Sequence, residues 1–127
     1  MQLEGIIEKI EYHQGELARL RSMLPAVDYT ALINTVCATA GVKPYQIDER
    51  SRYQKILDAR MIVAKELRKF GFSLAGIGLI LSRHHSTVHY WLQRYDDLHQ
   101  YDDQFRALAD TCAELIDTKF QPQIIQL

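Results

Sequence analysis

Long hydrophobic runs are missing from this sequence. No apolar stretch approaches the roughly 20 residues that a helix needs to cross a bilayer. The opening "MQLEGIIEKIEYHQGE" carries four glutamates and lacks the basic-then-apolar order of a secretion leader. A cytoplasmic chain with no membrane partner is the expectation. Cysteine is nearly absent: Cys37 and Cys112 stand far apart and form no C-x-x-C pair, so two small buried hydrophobes are expected instead of a metal or redox site. No alternation of period two persists over a useful length, which leaves an all-α fold. No G-x-x-x-x-G-K-[ST] loop occurs, so neither a nucleotide nor any other cofactor is expected.

Charge, by contrast, is unevenly placed. The whole chain has a net charge of −1, but residues 1–42 hold three basic and five acidic side chains, residues 43–95 ten and four, and residues 96–127 two and seven. Three of the five histidines fall in the middle segment. A net +6 stretch between acidic ends is what a polyanion-facing segment requires. The plainer alternative is that the segments neutralise one another inside one fold.

Apolar residues at Leu3, Ile6, Ile10, Leu17, Leu20 and Leu24, with His13 in the one polar slot, follow a heptad pattern. Three heptads suit either a homodimer seam or a helix packed on its own domain. Pro25 ends that segment. Asp28 is placed to cap "YTALINTVCATA", with Gly41 just past its end. Pro44 lies in a short connection, "VKPYQIDERSR". A long helix is expected from about Ser51 to Phe70, with Ile56, Met61, Ala64 and Leu67 inside, broken by Gly71. Ser73 caps a short helix to about Leu81, and a tight turn at Ser82-Arg83 leads to a helix over His84–Tyr95. Val88, Trp91, Leu92 and Tyr95 mark its inner face. After "DDLHQYDD", a last helix from about Gln104 to Phe120 buries Phe105, Leu108, Cys112, Leu115 and Ile116, and "QPQIIQL" reads as extended. The expected organisation is a heptad helix over 1–25, a central domain over 26–97, and an acidic helix and tail over 98–127.

The polar cluster "SRHHSTVH" admits several chemistries. His85 and His89 share a helix face at a spacing that can hold a metal, yet Ser86 stands where a zinc protease needs Glu, and no third ligand is in view. Ser86 with His89 has neither an orienting acid nor an oxyanion donor, so no enzyme is expected. A short helix, a tight turn and a second helix are the parts of a helix-turn-helix, whose second helix puts its N-terminal residues against base edges. Short polar groups there reach bases without pushing the helix away, and Arg83 can hold a guanine or a phosphate. The competing reading is a Ser/Thr-capped surface helix without a ligand.

"SLAGIGLILSRHHSTVHY" resembles the helix-turn-helix signature of the C-terminal DNA-binding domain of the bacterial replication initiator DnaA, roughly S-L-x-x-I-G-x-x-[FL]-G-R-D-H-[ST]-T-V. Ser73, Leu74, Ile77, Gly78, Arg83, His85, Ser86, Thr87 and Val88 match in order. "VCATAGVKPYQIDERSR" and "ARMIVAKEL" are similar to its first helix, basic loop and long helix, so the likeness covers about residues 30 to 95. It implies an all-helical domain that binds double-stranded DNA sequence-specifically. It implies His85 and Ser86 as base readers, joined by His84, and Arg83 and Thr87 at the backbone or groove. Arg50 or Arg52 would enter the minor groove, and Lys55 and Arg60 are candidates for the long helix's DNA contact. Phosphate contacts by Arg50, Arg52, Lys55, Arg68 or Lys69 would supply affinity. A role in replication initiation or its regulation, or in a phage or mobile element, would follow.

Three departures qualify the resemblance. His84 replaces the family's Asp, exchanging an acceptor for a group that can donate, so the initiator's target sequence is not carried over. Ser82 replaces a turn Gly. The initiator's ATPase domain has no counterpart here, so a freestanding reading head is expected. The alternative function is a protein-interaction module using the heptad helix and the acidic C-terminal helix.

Overall fold

The computed structural model describes residues 27–120. The heptad segment with His13, and the "QPQIIQL" tail read as extended, lie outside the described residues. Those described form five α-helices and one 3-10 turn, with no strand. Helix α1 (Tyr29–Ala40) begins where the Asp28 carboxylate accepts from the Ala31 N–H at 3.1 Å, and ends at Gly41 with φ +77°. Both ends follow from residue chemistry, since an N-cap carboxylate satisfies a free helix donor and glycine enters the left-handed region without a Cβ penalty. A 3-10 turn (Pro44–Asp48) follows, closed by the Gln46 side chain accepting from the Lys43 N–H at 2.7 Å.

Helix α2 (Gln54–Lys69) is the central element. Nine of its sixteen residues are buried, too many for a single apolar stripe, and it is enclosed by every other element. Helices α3 (Leu74–Leu81) and α4 (His85–Tyr101) form the turn-linked pair, and α5 (Asp103–Lys119) packs on α1, α2 and α4. The acidic α5 thus shares one core with the helices it follows, through Phe105, Ala109, Cys112 and Ile116. Tyr95 and Phe105 meet edge to face at 5.4 Å. Cys37 and Cys112 are fully buried, and burial foremost pushes both thiols up to about 11, which keeps them unreactive near neutral pH. No described helix is long and apolar enough to cross a membrane.

In its last two helices the structure departs from the sequence reading at two places. Helix α4 does not stop at Tyr95 but runs through the acidic Asp96-Asp97 to Tyr101. Nothing in that run removes a backbone donor, and the helix ends only where Asp102 turns extended and caps α5 by accepting from the Phe105 N–H at 3.0 Å. Leu115, expected inside, is 39 % exposed. At 100° per residue it lies about 90° round the helix from the Phe105–Ile116 stripe.

Candidate nucleic-acid interface

The α3–α4 unit is built by two caps and one glycine. The Ser73 hydroxyl accepts from the Gly76 N–H at 3.0 Å and starts α3. Ser82 ends it in the left-handed region at φ +54°, and the Arg83 N–H returns to the Gly78 carbonyl at 2.8 Å. A Cβ on Gly78 would collide with the Arg83 carbonyl oxygen, so the turn folds onto α3 only over a bare backbone.

His84 then caps α4. Its Nδ1 accepts from the Ser86 N–H at 3.2 Å and lies 2.8 Å from the Ser86 Oγ, which requires an unprotonated Nδ1. Its ring sits 4.1 Å from that of His85. His84, His85 and Ser86 are exposed and Thr87 is half-buried, while Val88 behind them is fully buried. A groove of about 490 Å³ runs beside this junction, lined by Ala75, Gly78, Leu79, Ser82, Arg83, His84 and His85. The positive end of α4 lies at this junction and favours an anion, while the Ser86 and Thr87 N–H groups already donate to His84.

Of the basic candidates, Arg50, Arg52 and Lys55 are exposed, and among the described residues no carboxylate pairs with them. Arg68 donates to the Phe72 carbonyl at 2.9 Å, and Lys69 donates to Glu66 at 2.8 Å. Arg83 is half-buried and reaches across to the loop, donating to the Glu49 carbonyl at 2.9 Å.

Arg60 must be corrected. Expected as a DNA contact on the long helix, it is 3 % exposed and offers no charge outward. Its guanidinium donates to the carbonyls of Ile47 (2.9 Å), Ser51 (2.8 Å), Gln46 (3.3 Å) and Glu49. Burial first, and the neighbouring Arg83 charge second, lower its pKa against the opposing pull of Asp48 and Glu49. Arg60 sits four residues after Ile56 and three before Val63, both core positions, so its inward direction was readable from spacing.

Residues 29–94 match the family model described as the bacterial DnaA protein helix-turn-helix. The chain belongs to that family. No curated protein and no solved structure is similar enough to match. The matched span runs from the start of α1 to within α4 and includes the loop and the junction just described. The DnaA helix-turn-helix is a DNA-binding unit, not a catalytic one. Sequence reading stopped its outward face at Thr87, yet His89, Tyr90 and Gln93 are also exposed on α4. The inward set Val88, Trp91 and Tyr95 points opposite to them, and that helical spacing is the signal that would have found them.

Proposed function

We propose that this chain binds double-stranded DNA sequence-specifically, with the N-terminal turn of α4 in the major groove. His84, His85 and Ser86 meet base edges there, and Thr87 lies beside them at the backbone. Arg50, Arg52 and Lys55 supply affinity through phosphates or the adjacent minor groove. One observation carries the reading: short polar side chains stand exposed at a helix N-terminus, and the loop bearing Arg50 and Arg52, with which no carboxylate among the described residues pairs, is hydrogen-bonded to the turn that starts that helix. Histidine at position 84 supports donation to guanine or phosphate when its free ring nitrogen bears the proton.

Selection of bound duplexes from a random pool tests this directly. An enriched motif is expected, and His85→Ala should flatten preference at the positions it reads, by roughly 10-fold or more per base pair. Retention of no duplex at low salt would leave the protein-interaction reading in its place.

A further inference from the structure

We propose that Arg60 and Arg83 are positioning residues that lock the loop over residues 47–52 to the start of α4, so that loop and helix read a duplex as one rigid template. The inference rests on the DNA-binding reading above. Two arginines from different elements, one inside α2 and one at the α3–α4 turn, donate to the same oxygen, the carbonyl of Glu49. Arg60 also holds the carbonyls of Ile47 and Ser51, so the backbone is pinned on both sides of Arg50 and immediately before Arg52.

The loop cannot hold this shape alone. Beyond the 3-10 turn it has no regular structure, and its own bonds are few: the Glu49 N–H donates to Gln46 at 3.2 Å, and the Tyr53 N–H to the Ser51 hydroxyl at 3.1 Å. Its carbonyls therefore depend on outside donors. A guanidinium presents its donors in a planar fork, which fits several convergent carbonyls, whereas an ammonium cannot span them. Placing two guanidinium groups at one oxygen costs repulsion, offset by Asp48 and Glu49 beside them. That cost secures a fixed spacing between Arg50, Arg52 and the His84–Thr87 junction.

The test compares random-pool duplex selection by the full chain, by Arg60→Lys and by Arg83→Gln, with salt titrations on the winning duplex. In both variants, the motif positions set by α4 should persist. Discrimination at the loop-set positions should fall roughly 10-fold, and the spacing between the two parts of the motif should broaden. The slope of affinity against salt should stay unchanged, since no phosphate contact is removed. A sharp, unaltered motif in both variants overturns the lock. So does a uniform loss with a slope shallower by about one, which would make the arginine a phosphate contact. If Arg60→Lys loses its helical signal, Arg83→Gln decides alone, because Arg83 is half-buried and holds one loop carbonyl. A wild-type pool without any motif removes the DNA-binding reading itself, an outcome distinct from failure of the lock.

Discussion

Glu66 shows how one residue can work against the fold that contains it. It is 1 % exposed on α2; one carboxylate oxygen accepts from Lys69, and the other is buried with no partner among the described residues. Burial pushes its carboxyl above the ordinary 4.5, with the Lys69 hydrogen bond and charge opposing. The folded chain therefore holds this proton more tightly than the unfolded chain does. Its contribution to stability is fully present below about pH 4.5 and is lost as pH rises through the elevated folded value. Glu66→Gln keeps the shape and removes the charge, so it should stabilise the fold at pH 8 by about 1 kcal/mol, with the gain vanishing near pH 4. Urea denaturation at both pH values measures this, and a variant less stable than wild type at pH 8 would sink it. The cost of leaving an ionisable group there is borne by the apolar residues packed around α2.

At the scale of elements, the α3–α4 turn makes opposite demands on two neighbouring positions. Gly78 must stay bare because the Arg83 carbonyl lies where a Cβ would go. Gly78→Ala should cost about 2 kcal/mol and weaken duplex binding together with stability, as thermal melting and retention on DNA would report. Ser82 has the reverse problem, since its φ of +54° strains any residue with a side chain. Ser82→Gly should raise stability by about 0.5–1 kcal/mol in urea titration and leave binding intact; a lower midpoint would contradict the strain. The caps at Asp28, Ser73 and Gly41 and the turn at Ser82 were legible because each is a local residue preference visible in a few letters. Arg60 was not read as buried, although its spacing allowed it. Its partners are backbone carbonyls 9 to 14 residues away, which no side-chain pattern announces. The extension of α4 to Tyr101 was missed for a related reason: paired aspartates resemble a connection until the next helix's cap is located.

For the whole molecule, net charge is a poor guide to partner. A chain at −1 gains nothing from DNA as a point charge, so binding must come from the local excess over residues 43–95. With a Debye length of about 8 Å at physiological salt, acidic side chains farther than that from the interface are largely screened. Helix α5 carries Asp103, Asp110, Glu114 and Asp117 and packs on α1, α2 and α4. Its contacts with α4 fall toward that helix's C-terminal half, where His99 meets Asp110 at 2.7 Å and Tyr95 meets Phe105, so it should weaken binding at the N-terminal end only slightly. If Arg50, Arg52 and Lys55 each neutralise a phosphate, log affinity should fall with log salt at a slope near −3 or steeper. Raising salt from 50 to 200 mM would then cost roughly 40-fold. Arg50→Ala or Arg52→Ala should each make the slope shallower by about one on every duplex, whereas Glu114→Gln should leave it unchanged. A slope near zero in the wild type would place the basic segment away from the duplex. A slope that responded as strongly to α5 as to the loop would mean that the two acidic and basic regions meet the polyanion together, and that the partition of charge along the chain has no counterpart in its surface.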